Sequence, residues 1–180
     1  MMKFQEKIDF ILGNLENYPD PFETPSTAQI HEKTILKAKE IIYNNGSLYP
    51  FIYAHTPSGL VPALIEFPSS EINRFLYCEE IINMLYTFEA TGYSVLLSGW
   101  SLEHNEHAQS DLFFNDKISE HPDKQETLQI MTEDDNNFRR TTKFKIIKRI
   151  IKGQNLSKLI MREDFEEMQG RLNGLLNRRL

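Results

Sequence analysis

The chain has 180 residues, 40% hydrophobic and 26% charged, with a net charge of −6 and one cysteine. That length suits one self-sufficient domain and the composition sits near the soluble globular average. A disulfide framework is excluded, and no stretch approaches the roughly 18 apolar residues of a membrane span.

Charge is unevenly spread along the chain. Residues 1–100 carry 6 basic against 12 acidic side chains, residues 101–135 carry 2 against 10, and residues 136–180 carry 12 against 4. The split is expected to close internally, acidic stretch against basic stretch, with a patch awaiting a partner as the alternative. Glu6, Asp9 and Glu16 interrupt the region where a secretory leader would keep an uncharged apolar run, so a cytoplasmic protein is expected.

In chain order, Phe4, Ile8, Ile11, Leu12 and Leu15 predict an amphipathic helix over 3–16. A Pro-rich connector follows to residue 25, where Thr24 offers an N-cap and Pro25 a first helical position. The next helix runs to about Asn45, with Ile30, Thr34, Ile35, Ala38, Ile41 and Ile42 on its apolar face, His31 facing solvent, and Gly46 as the left-handed residue that ends it. Two short apolar runs around Thr56-Pro57-Ser58-Gly59 predict a β-hairpin, and Pro50 and Pro62 push at least one of its strands to an edge or a bulge. A helix capped by Ser69-Ser70 then carries Ile72, Phe75, Leu76, Ile82, Leu85, Tyr86 and Phe88 to Gly92 as its terminator. Cys78 lies within that pattern and reads as a buried, inert thiol.

"YSVLLSGW" predicts a central strand. After an acidic loop, "QETLQIMTEDDNNFRRTTKFKIIKRI" predicts two strands joined at Asp134-Asp135-Asn136-Asn137. Phe165, Met168, Leu172, Leu175 and Leu176 predict a C-terminal amphipathic helix over 153–180. The order α-α-β-β-α-β-β-β-α implies a single α+β domain: a core over 26–152 built on an about five-stranded, mainly antiparallel sheet with helices on one face, flanked by end segments 1–25 and 153–180. The helix ending in Gly before a Tyr-Pro-Phe hairpin, the strand ending in Ser-Gly-Trp (98–100) and the run "SEHPDKQETL" (119–128) resemble a group of uncharacterised small bacterial and phage proteins over roughly residues 28–150. The resemblance implies a bacterial or phage origin and brings no activity, cofactor or catalytic residue with it.

Chemistry-bearing side chains concentrate in "GWSLEHNEHAQSD" and just beyond. Glu103, His104, Glu106, His107, Asp111, His121, Asp123 and Glu126 supply metal-ligand types, yet His104 and His107 are three apart rather than the four that place two ligands on one helix face. A solvated loop without metal or other cofactor is the expectation. The alternative is a metal-dependent hydrolase or nuclease using His104, His107 and Asp111, with Glu103 or Glu126 as base and His121 as a further candidate ligand. A His121–Asp123 pair lacks an accompanying nucleophile elbow.

From Arg139 to Lys152 the chain is basic. Lys143, Lys145 and Arg149 fall on one side of the expected strand and Phe144, Ile146 and Ile150 on the other, so Arg139, Arg140, Lys143, Lys145 and Arg149 are the candidates for phosphate contact. Nucleic acid is the less favoured partner because the chain as a whole is acidic. Trp100, Phe113 and Phe114 are the candidates for contact with another protein or a second copy. The favoured function is accordingly a non-enzymatic, cytoplasmic accessory protein that presents a surface to a partner.

Overall fold

The computed structural model describes residues 4–18, 24–66, 71–102, 124–151, 154–165 and 174–176. Helix α1 (Phe4–Asn14) forms where the apolar spacing places it, and the two-residue strand β1 (Glu16–Asn17) follows. Helix α2 (Thr27–Asn45) starts two residues later than a Thr24 cap would set it. Its N-cap is Ser26, in a capping box in which Ser26 Oγ accepts from the Gln29 amide and the Gln29 side chain accepts from the Ser26 amide. A capping box satisfies two amides that lack partners inside the helix, which the Thr24-Pro25 pair cannot do. Gly46, at φ 75°, ends α2 with its amide donating to Ile42 O.

Strands β2 (Phe51–Thr56) and β3 (Gly59–Leu64) make the expected hairpin. Helix α3 (Glu71–Thr87) stops before Gly92, because Glu89 takes the left-handed conformation at φ 52° while Ala90 N donates to Leu85 O and Glu89 N to Tyr86 O. That is the Schellman termination with a glutamate in the glycine's place. Gly92 instead opens strand β4 (Gly92–Leu102), which is followed by β5 (Lys124–Asp134), β6 (Arg139–Ile151) and β7 (Gln154–Phe165).

The sheet has seven strands in the order β1-β3-β2-β4-β5-β6-β7, every neighbouring pair antiparallel, with β4 at its centre. The fold is therefore α+β as expected, with two strands more than expected and a different order of elements. One extra strand is β1, between the first two helices. The other is β7, which occupies 154–165, where the spacing predicts the start of a C-terminal helix. A bulge between Lys143 and Lys145, opposite Met161 at φ 54°, lets β7 follow β6 over nearly its whole length.

Successive residues of a strand point to opposite faces, and here both faces are covered. On the first face Phe51, Tyr53, Leu96, Leu128, Ile130, Phe144 and Ile146 pack under α2, with Phe10 of α1 edge-on to Phe51 at 5.1 Å. On the second face Ile52, Ala54, Tyr93, Val95 and Met131 pack under Cys78, Ile81 and Leu85 of α3 and under Leu175 and Leu176. The expectation of helices on one face fails because both alternating sets of strand residues are apolar, so each needs its own cover. No helix among the described residues is long and apolar enough to cross a membrane.

Candidate functional site

Beneath α2, the apolar first face gives way to hydroxyls. Ser94 of β4 and Thr132 of β5 are directly opposite in register, and Thr142 of β6 lies diagonally beyond. His31 descends from α2 between them and is 0% exposed, contrary to the solvent-facing position expected of it. Its Nδ1 is 2.7 Å from Thr132 Oγ1 and its Nε2 is 2.8 Å from Thr142 Oγ1. Ser94 Oγ lies 2.9 Å from Thr132 Oγ1, and His55 Nε2 of β2 lies 2.8 Å from Ser94 Oγ. At the other end Thr142 donates to the carboxylate of Asp164 on β7.

The carboxylate fixes every proton in this line. Thr142 gives its proton to Asp164, so it accepts from Nε2–H of His31. A neutral His31 then offers Nδ1 as acceptor to Thr132, Thr132 accepts from Ser94, and Ser94 accepts from Nε2–H of His55. Both imidazoles are held neutral: burial, followed by the positive charge of Arg140, lowers His31 to about 4, and burial lowers His55 to about 3. Asp164 stays below the usual carboxylate range: burial opposes this, but the Thr142 hydrogen bond and Arg162 outweigh it. Arg162 also grips Glu32, which Arg140 approaches at 3.5 Å.

The arrangement superficially offers a serine beside a histidine. Its polarity is opposite to that of a nucleophile and base, since a catalytic imidazole must accept the hydroxyl proton, whereas His55 donates to Ser94. Ser94 is also fully buried. Gly92 is required here by close approach, because a Cβ on it would sit 2.6 Å from His55 Nδ1 and 3.0 Å from Glu133 O. The line of hydroxyls and imidazoles is thus a satisfied polar seam that fixes α2 to β2, β4, β5 and β6.

The second face differs. Glu133, 0% exposed, accepts from Tyr93 OH at 3.0 Å and from the Gly174 amide at 2.9 Å through Oε2, while its Oε1 has no hydrogen-bond partner and faces Arg139 at 3.6 Å. Tyr93 OH accepts in turn from the Leu175 amide at 3.3 Å. Burial, then the nearby charge of Glu133, raises the Tyr93 phenol above its ordinary range, so it remains a donor.

Beside this clamp a cleft of about 560 Å³ opens at the C-terminal end of α3. Ile82, Tyr86, Leu175 and Leu176 line it together with Glu89, Thr91 and Asp135. Tyr86 of this lining is 71% exposed; Phe75 and Leu76 nearer the start of α3, Phe75 at 63%, and Phe88 just after its end are exposed as well. Helical spacing groups these four with Leu85; in the structure Leu85 and Cys78 are buried as expected, together with Ile81, while these four are exposed.

The residues singled out from the sequence fall in three groups. Glu103, His104, Glu106, His107, Asp111, Phe113, Phe114, His121 and Asp123 lie outside the described residues. Glu126 is ion-paired with Lys148 at 2.8 Å, and no group of three or more metal-ligating side chains occurs among the described residues. Trp100 is 44% exposed at the end of β4, with Lys124 Nζ 4.9 Å above its ring.

Among the basic residues, Phe144 and Ile146 are buried and Lys143 and Lys145 are half-buried on the opposite side of β6. Arg139 turns to Glu133 and Arg140 to Glu32, while the side chain of Arg149 lies outside the described ones. Carboxylates from β5 and α2 therefore take up both arginines at the start of the basic strand. Sequence reasoning does not find the seam of His31 and His55, although one signal for it exists: His31 is in helical phase with Thr34, Ile35, Ala38 and Ile42.

Fold and site together define an antiparallel α+β domain with one face sealed over a polar seam and one face carrying an open cleft of apolar and polar lining. Compared with protein-family models, with curated proteins and with solved structures, the chain gives no match.

Proposed function

We propose that this protein is a binding module that takes up a basic, amphipathic segment of another protein along α3 and its cleft. The observation that supports this is the exposure of Phe75, Leu76 and Tyr86 on α3 and of Phe88 just after it, with a cleft that Tyr86, Glu89 and Asp135 line at the C-terminal end of the helix. Contiguous exposed aromatic and aliphatic side chains are characteristic of interaction surfaces. The described charged side chains of α3 are Glu79 and Glu80, and those lining the cleft are Glu89 and Asp135, which selects a basic occupant over an acidic one. A cytosolic setting in a bacterial or phage-infected cell, and a supporting contact through Trp100, belong to the same reading.

The test is fluorescence anisotropy of a labelled basic amphipathic peptide against its acidic counterpart. Binding of the basic peptide only, weakened by salt and lost in Phe75→Ser/Tyr86→Ser and in Glu79→Lys/Glu89→Lys, is expected. Equal binding by these variants overturns the reading. So does a concentration-dependent dimer that disappears in Phe75→Ser/Tyr86→Ser, which makes a second copy the occupant.

A further inference from the structure

Burying a carboxylate is costly unless it is paired and hydrogen-bonded. Glu133 is fully buried; Arg139 pairs with its Oε1 at 3.6 Å, and the hydrogen bonds it accepts come from Tyr93 and from the amide of Gly174. Two successive amides, those of Gly174 and Leu175, thus end on the acceptors Glu133 Oε2 and Tyr93 OH. Leu175 and Leu176 themselves are buried among Tyr93, Val95 and Met131 and against α3. Backbone amides captured by fixed acceptors, with neighbouring side chains in apolar pockets, is the way proteins hold peptide ligands.

We propose that the groove between Tyr93, Glu133 and the C-terminal end of α3 is a peptide-binding site that the chain's own Gly174–Leu176 occupies in cis, and that a basic dileucine segment of a partner replaces it. This rests on the docking reading above and specifies the partner. The cis segment carries the same chemistry that the cleft selects: in sequence Leu175 and Leu176 are followed by Asn177, Arg178 and Arg179, and the cleft that the leucines line also holds Glu89 and Asp135. Glu133 Oε1 makes no hydrogen bond and faces the Arg139 guanidinium at 3.6 Å, so the carboxylate that captures the Gly174 amide is held in place from its other side. Residues 166–173 separate the end of β7 from Gly174 in sequence.

The probe is a labelled peptide of the sequence RLNGLLNRRL, residues 171–180, offered to the full chain. Gly174→Pro removes the amide that Glu133 captures and forbids the positive φ of 67° at that position, while leaving the groove intact. With the cis segment weakened, the probe is expected to bind this variant about tenfold more tightly than the wild type. Adding Tyr93→Phe to that variant should reverse the gain, because the groove then loses an acceptor.

Hydrogen exchange on the wild-type chain supplies an independent reading. Saturation with the probe should accelerate exchange at the Gly174 and Leu175 amides. Unchanged exchange at saturation, or equal affinity of the probe for wild type and Gly174→Pro, overturns cis occupancy while leaving the docking of basic segments on α3 standing. Tight binding to Gly174→Pro that is indifferent to Phe75→Ser/Tyr86→Ser has the converse meaning: the groove stands and the α3 face falls.

Discussion

The two faces of the sheet treat buried polar groups in opposite ways. Under α2, two histidines, two threonines and a serine satisfy one another in a line that ends on Asp164, and nothing in that line is open to a ligand. On the second face, Glu133 accepts from Tyr93 and from the Gly174 amide through one oxygen and turns the other to Arg139, while Leu175 and Leu176 beyond Gly174 line an open cleft. A closed network rigidifies a core, whereas on the second face the buried carboxylate takes part of its hydrogen bonding from a segment distant in sequence.

The seam can be broken most severely at its middle. His31→Ala should leave Thr132 and Thr142 without their ring partner and open a cavity under α2, costing about 3–5 kcal/mol in urea unfolding. A loss under about 1 kcal/mol would show that the seam contributes little.

Acid is the next largest perturbation. The folded pKa of His31, about 4, lies below its unfolded value of 6.5, so the unfolded state binds the proton first. Stability is therefore full above pH 6.5 and falls as the pH drops, levelling near pH 4, with a loss from His31 of up to about 3 kcal/mol. His55 acts in the same direction, continuing to about pH 3. Arg140 and Arg162 sharpen the effect on His31 while Glu32 and Asp164 moderate it, and Asp134 moderates it at His55. Unfolding midpoints compared at about pH 7.5 and about pH 4.5 check it; equal stabilities would mean that the imidazoles titrate freely.

Gly92→Ala should cost about 2 kcal/mol by thermal melting, since the added methyl meets both His55 and the Glu133 carbonyl. Ser26→Ala, which removes one half of the capping box on α2, should cost about 1 kcal/mol. Phe75→Ser with Tyr86→Ser, on the outer face of α3, should change stability by no more than about 0.5 kcal/mol per site while abolishing peptide binding. A large drop in melting temperature there would move these side chains from the binding surface to the core.

The sequence by itself determined the features that need only near neighbours. The apolar face of α2 and its end at Gly46 follow from helical spacing and from a residue free to turn left-handed. The Thr56–Gly59 turn and the Asp134–Asn137 turn follow from local side-chain chemistry, Asp134 Oδ1 accepting from the amides of Asn136 and Phe138. Spacing alone misplaces the terminator of α3, where Glu89 turns left-handed and the Glu89 and Ala90 amides close the last turn on Tyr86 and Leu85.

Only the tertiary structure decided which side of each element meets a partner. Residues 154–165 became a strand because β6 offered an edge to pair with, a hydrogen-bonding opportunity that helical periodicity further along the chain cannot register. His31 went inside because Thr132 and Thr142, 101 and 111 residues away, supplied a donor and an acceptor for its ring. Glu133 could be buried because Tyr93 and a segment 41 residues further on came to meet it. Burial of a polar group is settled by partners distant in sequence, and for this chain those partners are what separate the sealed face from the open one.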